Sequence, residues 1–126
     1  MPRDWRLVTT PLQYACADAL RLEEALDAMV ENAVRFTSPD DVIRISCRAD
    51  GPWVRLEVAD SGMGIPVEDR EHVFERFFHR HPRGEEPGTG LGLALVAAVA
   101  EAFGGRVNAG PAPEGGALVC LRLPRT

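Results

Sequence analysis

Residues 42–66 read VIRISCRADGPWVRLEVADSGMGIP. Val42 to Ala49 and Trp53 to Ala59 both alternate apolar with polar side chains, the two-residue period of a strand with one buried face. Asp50-Gly51 between them is a strong hairpin signal, so antiparallel pairing is expected. The second strand runs straight into DSGMGIP, Asp60 to Pro66, where glycines end the regular pattern. A doubly wound parallel sheet would need a helical crossover between successive strands, and the hairpin leaves no room for one.

Upstream, after a short edge strand at Arg6 to Thr9, Asp18 starts a helix read to about Phe36, with Leu22, Leu26, Met29 and Ala33 at helical spacing. At about 100° per residue, Asn32 falls on the flank of that stripe with Ala25, Ala28 and Arg35, while Glu31 points away. Downstream come an amphipathic piece, Val67 to Phe78, and a polar Pro/Gly loop to Pro87. GTGLGL, Gly88 to Leu93, then opens an Ala/Val-rich helix, Leu91 to Phe103, which Gly104-Gly105 stops. Strands at Arg106 to Ala109 and Ala117 to Leu123 close the chain around a Pro/Gly turn. This order reads as an α+β two-layer sandwich: a mixed, largely antiparallel sheet with helices on one face. At 126 residues it is one domain, 1–126.

Hydrophobic residues at 45% and charged residues at 26% place the chain among ordinary globular proteins. A net charge of -5 argues against a general nucleic-acid or anionic-membrane binder, which needs a summed positive field. All 14 basic residues are Arg, as GC-rich codon usage alone would produce. Cys16, Cys47 and Cys120 are odd in number, far apart and without CxxC spacing, so neither a disulfide framework nor a zinc site is indicated. Cys47 and Cys120 read as small buried hydrophobes. No apolar run reaches the roughly 18 residues of a membrane span and no signal pattern opens the chain. The expected compartment is the cytoplasm, with any membrane anchor carried by a longer parent protein.

Gly88, Gly90 and Gly92 would expose backbone N–H groups at a helix start, where dipole and unpaired donors favour a polyphosphate. A dinucleotide fingerprint would follow a strand and put its third glycine at Leu93; a Walker loop needs a lysine, and the chain has none. In DSGMG, Gly62 and Gly64 let the backbone approach a flat ligand. Asp60 at the strand end could accept a hydrogen bond from an exocyclic amine, favouring adenine over guanine, or simply cap its own turn.

ENAVRF, then GxG, a lid and GxGxG, in this order and spacing, resemble the ATP-binding catalytic domain of sensor histidine kinases, in the superfamily shared with gyrase, heat-shock chaperones and MutL-type repair proteins. The resemblance covers about Asp18 to Leu123. It matches Asn32 to the asparagine box, Asp60, Gly62 and Gly64 to the first glycine box, Phe74 to Phe78 (FERFF) to the phenylalanine box, and Gly88, Gly90 and Gly92 to the last glycine box. It implies a Bergerat-type fold and an ATP·Mg²⁺ site. Asn32 would coordinate the metal, Arg35 reach phosphate, Phe36 line the pocket and Asp60 receive the adenine amine. Ile65 would complete the first glycine box, and Thr89 and Leu91 stand with Gly88, Gly90 and Gly92 in the last. The segment from about 67 to 90 would be a mobile lid, in which Phe74, Phe77 and Phe78 are core packing or lid, and Arg80 and Arg83 phosphate contacts or solvated charges.

The departures from the family carry information too. Relatives often have Asn, or in hydrolytic branches Glu, four residues before the metal-binding Asn; Ala28 stands there, so a general base is missing. The lid's usual Arg after the aromatic pair is His79, which moves the expected phosphate contact to Arg80. Ala117 and Leu118 occupy a region where a hydroxyl often helps bind adenine. His72, His79 and His81 all lie in or beside the lid, and none sits on an acceptor helix. The implied function is donation of the ATP γ-phosphoryl group to a histidine on a separate dimerisation/phosphoacceptor domain, with a response regulator further on. A serine kinase of the anti-sigma type and a nucleotide-gated interaction module are the alternatives.

Overall fold

The computed structural model describes residues 3–9, 19–78 and 92–125. Along the chain these form β1 (Asp4–Thr9), α1 (Ala19–Arg35), β2 (Val42–Asp50), β3 (Trp53–Asp60), a single 3₁₀ turn (Val67–Asp69), α2 (Gly92–Ala102), β4 (Arg106–Pro111) and β5 (Ala117–Pro124). The expected α+β sandwich is present. One five-stranded sheet has the order β1-β2-β3-β5-β4. Among the described residues only β1 against β2 is parallel; the other three pairings are antiparallel.

The β2–β3 hairpin sets the register, with Asp50 opposite Trp53 and Ile43 opposite Asp60. Because side chains alternate along a strand, one face of β3 carries Val54, Leu56 and Val58. These lie opposite Leu123, Leu121 and Val119 of β5. That apolar face joins α1 and α2 in one core cluster including Met29, Ile43, Val96 and Leu121, all 0% exposed. Each such side chain contributes about 1.5–3 kcal/mol by leaving water. The opposite face carries Arg55, Glu57, Cys120 and Arg122 by register.

One helix expectation is refined. Ala25 and Ala28 are buried as well as Met29 and Ala33, whereas Leu22 and Leu26 are only half-buried, so the core side of α1 is rotated toward Asn32. Small side chains at 25 and 28 permit a close approach of α1 to α2, which pack on each other. Helix α2 buries Leu93, Val96, Val99 and Ala100 and gives out where expected, with the Gly105 N–H donating to the Ala100 carbonyl at 2.7 Å.

Among the described residues no helix is long and apolar enough to cross a membrane. Cys120 is buried, as expected, but on the polar side of the sheet beside Arg55, outside the apolar cluster. Burial raises the thiol pKa of both Cys120 and the half-buried Cys47.

Candidate functional site

Asp60 is the last residue of β3 and only 2% exposed. Its Oδ1 accepts two backbone hydrogen bonds, from Gly62 N–H at 2.9 Å and from Ala117 N–H at 3.1 Å. The first is the local turn cap anticipated from the sequence. The second comes from the start of β5, so the carboxylate is oriented by tertiary structure and not by its own loop alone. Gly116 N–H donates to the Asp60 carbonyl at 2.9 Å, completing a three-bond clasp.

The glycine loop is fastened to the end of α1. Met63 N–H donates to the Phe36 carbonyl at 3.3 Å. A Cβ on Gly62 would overlap that same carbonyl. Gly62 is therefore required where backbone meets backbone, a reason separate from the ligand approach expected of it. Gly64 takes φ 76, in the left-handed region. Ile65 is 4% exposed and packs into the core cluster, and Arg70 Nε returns to the Ile65 carbonyl at 3.1 Å.

On α1, Asn32 and Arg35 are half-buried and Phe36 is 7% exposed. The Phe36 N–H donates to the Asn32 carbonyl at 3.3 Å, so these residues share the helix's final turn. Arg35 Nη2 is shut off from solvent and has no hydrogen-bond partner among the described residues. A buried guanidinium nitrogen without an acceptor is costly, and an anionic ligand would relieve it. Among the described residues no three His, Cys, Asp or Glu side chains gather as a metal cage. One amide oxygen together with ligand phosphates is a donor set that suits Mg²⁺, which retains several waters.

The fold thus brings together Asn32, Arg35, Phe36, Asp60, Gly62, Gly64 and Ile65 at the junction of α1 and the β3 loop. Gly92 is the first residue of α2. Arg80, Gly88, Thr89, Gly90 and Leu91 lie outside the described residues, as do Asp18, His79, His81 and Arg83.

The FERFF segment, Phe74 to Phe78, forms no helix; the single 3₁₀ turn lies upstream at Val67–Asp69. Phe74 and Phe78 are partly buried against the core, whereas Phe77 is 62% exposed with φ 66, an expensive backbone for a non-glycine residue. Core packing therefore accounts for two of the three aromatics and not for Phe77, over which Arg76 lies at 5.3 Å. His72 Nδ1–H donates to the Glu75 carboxylate at 2.8 Å, and this contact raises the His72 pKa.

Sequence reasoning missed Gly116 and the Arg44–Glu114 pair. A Cβ on Gly116 would overlap Asp60 Oδ1 and the Gly62 nitrogen. Glu114, in the same turn, is gripped by Arg44 of β2, with Nε to Oε2 at 2.5 Å and Nη2 to Oε1 at 3.4 Å. The guanidinium holds the Glu114 carboxyl below its usual range. A Gly-Gly pair immediately before a strand was the available signal; it reads as an ordinary turn until its partner is known.

Residues 17–126 match the family model described as histidine kinase-, DNA gyrase B- and HSP90-like ATPase. The chain belongs to that family. Within it, this ATPase domain corresponds to the catalytic ATP-binding domain of sensor histidine kinases. It is 41% identical over 109 residues to the sensor protein DivL of Caulobacter vibrioides, covering 86% of this chain and 14% of DivL. The structure of a mycobacterial sensor histidine kinase, MprB, superposes with a TM-score of 0.87 at 30% identity, covering 98% of this chain and 84% of that one. Full-length ShkA in complex with AMPPNP gives 0.81 at 32% identity, over 98% of this chain and 26% of ShkA. The domain spans 11–26% of the length of the curated relatives it matches.

Proposed function

We propose that this domain holds ATP·Mg²⁺ at the α1–β3 junction and donates the γ-phosphoryl group to a histidine on a dimerisation/phosphoacceptor domain. The observation that carries the reading is the direct bonding of the Asn32–Phe36 helix end to the loop that follows the clasped Asp60. The AMPPNP complex of the ShkA relative supports the nucleotide class.

In this reading Asp60, held rigidly by two N–H groups through Oδ1, selects adenine through its exocyclic amine. Phe36, Gly62, Gly64 and Ile65 shape the base pocket. Arg35 supplies the acceptor-starved guanidinium to phosphate, joined by Arg80 and by the last glycine box, Gly88, Thr89, Gly90, Leu91 and Gly92. Asn32 holds Mg²⁺, which when bound neutralises charge on the phosphates. The segment of about 67–90 serves as a lid, and exposed Phe77 offers the acceptor domain an apolar contact.

No base is needed on this domain. Ala28, 9% exposed in the core, has no group with which to activate water. Positioned phosphates without an activated nucleophile react little, so the isolated domain is expected to bind ATP and hydrolyse it barely above background.

The deciding experiment adds radiolabelled ATP and a matching dimerisation domain in trans. Acid-labile, base-stable label on that partner, abolished by Asn32→Ala, is the expected result. Acid-stable label would indicate serine phosphorylation, and nucleotide binding with no transfer would indicate an interaction module.

A further inference from the structure

The sheet face turned away from the helices carries a cross-strand row of arginines. Register sets Arg48 of β2 opposite Arg55 of β3, Arg55 opposite Arg122 of β5, and Arg122 opposite Arg106 of β4. With strands about 4.8 Å apart, four positions span roughly 14 Å. Like charges directly opposite each other across strands repel, so such a row requires compensation.

Compensation is complete at one end only. Glu57, 3% exposed, accepts from Arg55 Nη2 at 2.6 Å and lies 3.6 Å from Arg48 and 3.7 Å from Arg44. Asp50 adds a carboxylate 3.5 Å from Arg55. At the other end, Arg122 lies over the Trp53 ring at 5.0 Å, and neither Arg122 nor Arg106 makes an ion pair among the described residues. Here Arg55, Arg106, Val107, Asn108 and Arg122 line a cavity of about 230 Å³. Arg55 Nε is closed off from solvent and reaches no oxygen or nitrogen acceptor among the described residues, its nearest polar neighbour being the Cys120 thiol, a weak acceptor.

We propose that this cavity binds a small multivalent oxyanion, carried as phosphate or carboxylate groups, separately from the nucleotide. Guanidinium forks on adjacent strands suit bidentate recognition of such groups, and Asn108 adds an amide donor. A space of this size accommodates a compact anion of a few charged groups. Local charge overrides the net charge of -5 because exposed charges beyond about 10 Å are largely screened at 0.1 M salt.

Trp53 provides a reporter beside the site. In a Trp5→Phe background, citrate and inorganic pyrophosphate are titrated separately while Trp53 fluorescence is followed, with acetate as the monovalent control. A saturable change is expected with one or both multivalent anions, and whichever binds identifies the group. Arg106→Ala should weaken that binding at least tenfold, and Arg106→Lys less. Arg35→Met, which alters the nucleotide site, should leave it unchanged. The proposal is overturned by the absence of a saturable response to both anions, by equal affinity in Arg106→Ala, or by loss of the response in Arg35→Met. If Arg106 serves only to shield an edge strand, Arg106→Ala will aggregate more readily while the parent shows no saturable response, which also overturns it.

Discussion

Gly116 and Asp60 are fitted to one another: the Gly116 N–H donates to the Asp60 carbonyl at 2.9 Å, and the space a Cβ would need on Gly116 is filled by the Asp60 carboxylate. The residue proposed to read adenine is thus held by a turn more than fifty positions later in the chain. Gly116→Ala should push that turn off β3, costing about 1–3 kcal/mol of stability as an overpacked site. ATP affinity should fall with it. Calorimetric titration on folded protein checks this; undiminished affinity in a folded Gly116→Ala variant would detach Asp60 from the site.

Asp60→Asn exchanges an acceptor for a partly donating amide while the N–H clasp from Gly62 and Ala117 remains available. The expected loss in ATP binding is about 1.5–3 kcal/mol, the range for a hydrogen bond to a charged group. GTP should bind the parent domain weakly. Equal ATP and GTP affinities would remove the adenine assignment.

Arg35 should separate phosphate recognition from base recognition. Its Nη2 lacks an acceptor among the described residues, so Arg35→Met relieves an unsatisfied group and should leave stability unchanged or raise it. ATP affinity should fall by roughly tenfold, about 1.4 kcal/mol, with adenosine affinity unaffected. Equal losses for ATP and adenosine would place Arg35 outside phosphate contact.

The Arg44–Glu114 fork ties the Gly116 turn to β2, and both side chains are largely buried, with 20% and 17% exposure. Arg44 depresses the Glu114 pKa, so this contribution is present above the ordinary glutamate range and is lost as pH falls through the lowered folded value. Glu114→Gln should cost about 1.5–3 kcal/mol at neutral pH. The difference from the parent should shrink as the pH is taken below about 4, which denaturant melts at two pH values will show. A constant difference would mean the charge plays no part.

His72 reports on the start of the proposed lid. Its hydrogen bond to Glu75 raises its pKa, so the contact is strongest below the ordinary histidine value and is lost as pH rises through the folded one. Proton NMR should place the His72 titration above that of an unperturbed histidine, and Glu75→Gln should move it back down. An unmoved midpoint in Glu75→Gln would assign the shift to other groups.

Periodicity, turn chemistry and motif order are local quantities, and they determined the α+β class, the β2–β3 hairpin and both helices, while motif resemblance nominated Asn32, Arg35, Phe36 and Asp60 as the proposed site. Alternation in residues 42–60 needs no partner to be read. What faces what is a property of pairing. The rotation of α1 toward Ala25 and Ala28 depends on α2; the clasp on Asp60 depends on where β5 enters the sheet; and Phe77 is exposed because Phe74 and Phe78 take the places against the core. The arginine row is the clearest case. Arg48, Arg55, Arg106 and Arg122 are scattered over more than seventy positions of sequence, and only the strand order β2-β3-β5-β4 aligns them, since hydrogen-bonded registry places distant residues side by side regardless of their separation along the chain.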